Sequence, residues 1–395
     1  MTGMDSTAVN KAIIALIRAA IGGEKPDALP EDVTINDICT LAFKATIIEI
    51  VKHGIVVCGL ADEKMQAENA SRRARLMYSE AKRHICTEKL FESFESAGVD
   101  FLPLKGYILK DLYPMPHMRP MKDVDILVSA AQFGEASRIL EENGYVRGEV
   151  QGHHTEFRHP VGGMVELHNS LAGRSGASKR YFADALQKAH IADSHTHMRE
   201  MTKEDFLIYV VFHMFKHYAM RGAGIRPILD IYLYVKKFGG EFDNDYLSRG
   251  LSQLGLKDFT DCVIRLGRVW FDGEAHDELT LRLEKIAFIS GAYGTSEAMD
   301  AIAKSGESRG DGFASARSLV FPPLTYMKRH YSVLEKTPLL LPACWVARAF
   351  RAFFRPDISI EKRIRQNKDI SKADAENLIV LKRELNLPDY FEDND

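Results

Sequence analysis

Asp123-Val124-Asp125-Ile126-Leu127-Val128 sets two carboxylates one residue apart at the head of an apolar run. In a strand, residues i and i+2 project from one face, so Asp123 and Asp125 stand side by side while Val124, Ile126 and Val128 face a core. Two carboxylates so placed repel each other unless a cation lies between them. A bare Asp-x-Asp also fits a solvated strand face. The third acid in an apolar setting, Glu166 of Val165-Glu166-Leu167-His168, moves the reading to a divalent metal site and to phosphoryl or nucleotidyl transfer. Taken alone, Glu166 is an ordinary hairpin residue.

Upstream, Leu104-Lys105-Gly106 joins a short buried strand to a short helix, Tyr107 to Leu112. A glycine there lets phosphate oxygens approach backbone N–H groups, and Lys105 adds a cation. Arg119, in Met118-Arg119-Pro120-Met121-Lys122, suits a second phosphate through its planar fork or, on the plainer reading, a loop ion pair. Lys122 reads as surface charge.

At these residues the chain resembles the polymerase-β-like nucleotidyltransferase superfamily and, within it, the poorly characterised bacterial nucleotidyltransferase family. The resemblance is continuous over about residues 85–170. It is weaker through His213–His217, Arg226–Asp230 and Phe321-Pro322-Pro323. It implies that Asp123 and Asp125 hold two Mg²⁺ ions and that Glu166 joins them as metal ligand or prepares an acceptor hydroxyl. It further implies that Lys105, Gly106 and Arg119 bind an NTP co-substrate, whose NMP is transferred with release of pyrophosphate. The acceptor stays open, with a small molecule or sugar favoured over RNA or protein. A toxin-like transferase acting on tRNA or protein is one alternative. The other is a nucleotide-binding regulatory pseudoenzyme, because Gly106-Tyr107 stands where the superfamily carries Gly-Ser or Gly-Gly.

The expected fold is α+β: a small mixed sheet flanked by an N-terminal and a larger C-terminal helical region. The expected divisions are a helical region at 1–97, a catalytic core at 98–195, a helical domain at 196–315, and a basic amphipathic segment with an acidic tail at 316–395. Apolar spacing predicts helices over Ile35–His53 with Gly54 as the stop, Glu63–Ala97, Ala131–Asn143, Lys203–Tyr218, Ile228–Phe238, Leu247–Leu254, Phe259–Trp270 and Asp277–Ser290. Strands are predicted at Val99–Leu104, near Tyr145-Val146, and in a hairpin of His154–His159 with Met164–His168. Ser305–Ala314 reads as a loop.

The chain has 395 residues, 46% hydrophobic and 27% charged, and a formal charge of −3. This composition is that of a globular protein without global attraction to polyanions. Five scattered cysteines with no CxxC pair argue against a disulfide framework or structural zinc and point to the cytoplasm. The apolar stretches near the N-terminus and at Leu339–Phe354 are broken by charge or proline, so no transmembrane segment is expected. In Trp345–Arg355, a stripe of Val346, Phe350 and Phe353 lies beside Arg348, Arg351 and Arg355. That pattern reads as packing on the protein itself, with membrane-surface or polyanion contact as the sharper alternative. His213 and His217, one helical turn apart, read as packed or cleft-lining rather than as zinc ligands. Arg226 and Asp230 read as an intrahelical ion pair, and His153, His154 and His159 as hairpin surface.

Overall fold

The computed structural model describes residues 6–289 except 27, 152–153, 172–175 and 222–223, together with 324, 327, 331, 333–353, 377 and 380–388. The expected Ser305–Ala314 loop, His153, Arg355 and the acidic tail lie outside the described residues.

Four helices come first: α1 (Ser6–Ala20), α2 (Ile35–Lys44), α3 (Ile48–Val57) and the long α4 (Glu63–Ser96). The α/β core follows with β1 (Phe101–Pro103), α5 (Gly106–Leu109), β2 (Asp123–Val128), α6 (Phe133–Glu142), β3 (Val146–Gln151), β4 (His154–His159) and β5 (Gly163–His168). The strands form one mixed sheet in the order β1-β2-β5-β4-β3, parallel only between β2 and β5. Pro103 sits on the edge strand, where its missing N–H costs no ladder bond. Alternation along β2 and β5 divides the sheet's faces. Val124, Ile126, Val128, Val165 and Leu167 pack with Leu90, Phe91 and Phe94 of α4 and Ile139 and Leu140 of α6. Asp123, Asp125, Glu166 and His168 therefore fall on the opposite face.

A second helical region closes on that face. It contains α7 (Gly176–Tyr181), α8 (Ala185–Lys188), the two-stranded ribbon β6 (His190–Ile191) and β7 (Arg199–Glu200), then α9 (Lys203–Arg221), α10 (Ile225–Phe238), α11 (Asn244–Gln253), α12 (Lys257–Asp272) and α13 (Glu278–Ile289). The architecture is thus the expected α+β arrangement. The two helical regions, distant in sequence, share one apolar core: Ile13, Leu16 and Ile17 of α1 lie in the same cluster as Val263 and Leu266 of α12. Among the described residues no helix is long and apolar enough to cross a membrane.

Three expectations are corrected. The single helix over Ile35–His53 is two, because Thr46 turns the chain with φ 55° between α2 and α3. Gly54 is not a stop but lies inside α3, where a Cβ would stand 2.1 Å from the Leu16 carbonyl oxygen. The absent side chain lets α1 and α3 cross closely. In the helix Leu341–Phe353, Val346 is 62% exposed and not packed as expected, while the side chains of Phe350 and Phe353, and those of Arg348 and Arg351, lie outside the described residues.

Gly54→Ala offers a direct measure of this crossing. Alanine would ordinarily stabilise a helix interior by about 1 kcal/mol over glycine. Here the clash with backbone should win and lower stability by about 1–3 kcal/mol in urea denaturation. A neutral or stabilised variant would show that the helices separate at little cost.

Candidate active site

Parallel pairing aligns Asp125 of β2 with Glu166 of β5, and Asp123 lies two residues back on the same face. Antiparallel pairing of β4 with β5 then sets His154 opposite His168. Three acids and two imidazoles thus converge through backbone register alone. Asp125 is buried; Asp123 and Glu166 are half-buried.

The charges are balanced unevenly. Asp125 Oδ1 accepts from Lys105 Nζ at 3.0 Å and lies 2.9 Å from His168 Nε2. Burial pushes its carboxyl up, but these two partners hold it well below the usual range. Asp123 feels Lys105 and Arg226 as weaker opposing charges. Burial, with the charges of Asp125 and Glu166, pushes its carboxyl up to about 6. Glu166 is lowered: burial raises it, and the His168 hydrogen bond together with the charges of His154 and His168 outweighs that. His168 is raised, because bonds to Asp125 and Glu166 overcome its burial.

Lys105 reaches Asp125 through an unusual backbone, φ 41° and ψ −107°, which a residue with a Cβ adopts only at a cost of about 1–3 kcal/mol. The Leu104 N–H bond to the Asp125 carbonyl at 3.0 Å and the Lys105 ion pair fix it there. Gly106 has a packing reason as well: a Cβ would stand 2.8 Å from both Arg119 Nη1 and Met121 Sδ.

Arg119, read from sequence as a phosphate clamp or a loop pair, donates Nε and Nη2 to the two carboxylate oxygens of Asp230 at 2.7 and 2.9 Å, both side chains buried. The Tyr113 hydroxyl donates to the same carboxylate at 2.8 Å. The structure therefore gives Asp230 to Arg119 and Tyr113, where an Arg226–Asp230 helical pair was expected. Arg226 instead reaches the Pro120 carbonyl at 3.4 Å. Lys122 is exposed, as its reading required.

The opposite wall is α9. Tyr209 is buried with its hydroxyl on the Lys105 side chain. His213 faces Lys105 and contacts His217, Nε2 to Nε2 at 3.0 Å, which fits the cleft-lining reading of the pair. Burial and then Lys105 lower His213 well below its ordinary value, so it is neutral. Lys216 is lowered for the same two reasons, with Asp125 and Glu166 pulling the other way.

Sequence reasoning put His168 on the Glu166 face but gave it no role, and it misplaced His154. His154 is not hairpin surface: its ring centroid lies 5.0 Å from that of His168, and its Nε2 lies 3.7 Å from Glu166 Oε2. A hairpin register that pairs His159 with Gly163 also pairs His154 with His168, and that arithmetic is the signal that finds it. The carboxylates of Asp123, Asp125 and Glu166 are hard oxygen donors of the kind Mg²⁺ takes, and the repulsion that raises Asp123 is what a cation relieves.

Residues 32–272 match the family described as uncharacterised nucleotidyltransferase. Nothing among the curated proteins matches the chain. Among solved structures, a solution structure of the antibiotic-resistance factor ANT(2'')-Ia is similar over 43% of this chain and 91% of that one, at 10% identity and a TM-score of 0.31.

Two outcomes follow from the charge balance. Asp123 binds its proton more tightly folded, near pH 6, than unfolded, near the ordinary 3.8. The metal-free protein therefore loses stability through this group as pH rises from about 4 to about 6, up to about 3 kcal/mol. Asp123→Asn removes the loss, so the stability difference, variant minus wild type, should grow across that interval and level off above it. A flat difference in urea titrations at several pH values would count against the repulsion. Arg119→Ala, which leaves Asp230 buried without its guanidinium, should cost about 3–5 kcal/mol in the same assay.

Proposed function

The chain belongs to the uncharacterised nucleotidyltransferase family, and from that premise we propose that it transfers an NMP from an NTP to an acceptor hydroxyl, releasing pyrophosphate, with Mg²⁺ as cofactor. The observation that carries this reading is the placement of Asp123, Asp125 and Glu166 on one sheet face, with Asp123 pushed up to about 6 by burial and by the other two acids. A small molecule or sugar remains the favoured acceptor.

Held by these three carboxylates, Mg²⁺ would supply charge neutralisation at the triphosphate and the departing pyrophosphate. The chain's own groups do the rest. The Glu166 carboxylate, kept ionised by His168, accepts the acceptor's hydroxyl hydrogen bond and then its proton as oxygen bonds to the α-phosphorus. The bond from that phosphorus to pyrophosphate breaks, and the electron pair leaves with the pyrophosphate oxygen. Lys105, on Asp125 before substrate arrives, and Lys216 across the cleft are the cations available to phosphate oxygens. Gly106 keeps the turn narrow, and Arg119 supports that turn from below through Asp230. Neutral His213 and buried Tyr209 form a wall that excludes water without adding charge.

The test is incorporation of label from an α-phosphate-labelled NTP into cell extract, separated into small molecules, RNA and protein. Asp123→Asn and Asp125→Asn should each lower transfer by about a hundredfold to a thousandfold or more. Full activity in both would end the reading. Glu166→Gln should depress kcat more than NTP affinity, whereas an equal loss would make it chiefly a metal ligand. Label in no fraction, with NTP binding intact, would favour a nucleotide-binding regulator.

A further inference from the structure

The acids of the site have a neighbour that oxygen-only Mg²⁺ chemistry does not use. His154, Glu166 and His168 bring one ligand atom each to within 4.8 Å of one another. The separations are 3.7 Å from His154 Nε2 to Glu166 Oε2 and 3.5 Å from His168 Nε2 to the same oxygen. Donors bound to one tetrahedral ion at about 2.0–2.1 Å stand roughly 3.3 Å apart, close to the two His–Glu separations, and on binding the ion His168 Nε2 would exchange its contact with Asp125 for the metal. Three rigid strand positions supply it: a cross-strand pair, His154 and His168, and a residue two places along β5 on the same face.

From this geometry we infer that His154, Glu166 and His168 form a binding site for one transition-metal dication of the Zn²⁺ class. Two imidazoles and a carboxylate are a donor set that suits Zn²⁺ and its neighbours and that Mg²⁺, which prefers octahedral oxygen and keeps its water, uses poorly. Three protein ligands leave a fourth position open to water or to an oxygen of a bound substrate. Asp125, 2.9 Å from His168 Nε2, adds negative charge at the same spot, while Lys216 opposes it from α9. The site shares Glu166 with the proposed catalytic trio. Zn²⁺ capture nevertheless succeeds or fails whether or not nucleotidyl transfer occurs.

The experiment uses the full chain, stripped with a chelator and then equilibrated with Zn²⁺ in millimolar Mg²⁺. Bound zinc is counted by mass spectrometry, and its affinity is measured by competition with a chromophoric chelator. Wild type should keep one Zn²⁺ per chain against the Mg²⁺. His154→Gln, checked for fold by circular dichroism, should weaken Zn²⁺ at least about tenfold. Asp123→Asn should weaken it less than His154→Gln does. Zinc displaced by Mg²⁺ in wild type, no weakening in His154→Gln, or a loss in Asp123→Asn as large as in His154→Gln would each overturn the site. Should His154→Gln fail to fold, Co²⁺ titrated into wild type decides. An intense visible band of low-coordinate, nitrogen-ligated cobalt is expected, and the weak band of an octahedral oxygen site would overturn the inference.

Discussion

Three carboxylates held on one face of a sheet, two of them on a single strand, are the constraint around which this protein is arranged. Left to themselves they would repel, and burial would raise the cost further. The fold answers chiefly at one of them. Lys105 and His168 both meet Asp125 Oδ1, while Asp123 is left high enough to hold a proton near pH 6. Asp125 is the satisfied member and Asp123 the frustrated one. That imbalance gives a cation a reason to enter, since it relieves an energy already present in the folded chain. The strained Lys105 backbone belongs to the same account: the turn accepts a left-handed φ for a residue with a Cβ, and in return its ammonium lies on Asp125.

A second buried pair fixes where that turn sits. Arg119 and Asp230 are 111 residues apart in sequence, yet they join the loop before β2 to α10 by a bidentate contact that Tyr113 completes. Burying such a pair brings little net stability compared with an apolar alternative, but losing either partner is costly. Its value here is geometric. With Nε and Nη2 on Asp230, Arg119 turns Nη1 against Gly106, so one guanidinium links the glycine turn to α10. The resemblance pointed to Arg119 as a phosphate clamp; the packing places its guanidinium on Asp230 and beside Gly106.

What the sequence made legible follows the range of the forces involved. Alternation along Asp123–Val128 and Val165–His168 is a local property, so the acid face, the core face and the hairpin could be read directly. Helix α4 and its ending at Gly98 were equally local, with a glycine at φ 70° just past the last turn. Gly54 shows the limit. Near the end of a helical pattern, spacing alone reads a glycine as a stop, and only the crossing of α1 reveals it as a contact point. Asp230 shows the same limit for charge. Its nearest partner in the helix, Arg226, was the economical choice, but the arginine it takes comes from a loop that no periodicity connects to α10.

His154 is the more instructive case because nothing long-range hid it. Strand alternation places His154 on the Glu166 side of the sheet once the hairpin pairs residues whose numbers sum to a constant, as His159 and Gly163 do. A histidine near a turn was read as surface because the turn is exposed, although the hairpin register sets this one across from His168, two residues from Glu166 on the acid face. The two ends of one hairpin thus have different neighbours: half-buried His159 accepts backbone N–H bonds from Val161 and Gly162 at the turn, while His154, also half-buried, sits beside a carboxylate. Burial lowers His154 and the Glu166 charge draws it back up. A ring in that position presents a nitrogen lone pair to the acid cluster more readily than a surface histidine would, and it is the contrast between the two ends of β4, set by register alone, that turns a pair of ordinary imidazoles into part of the site.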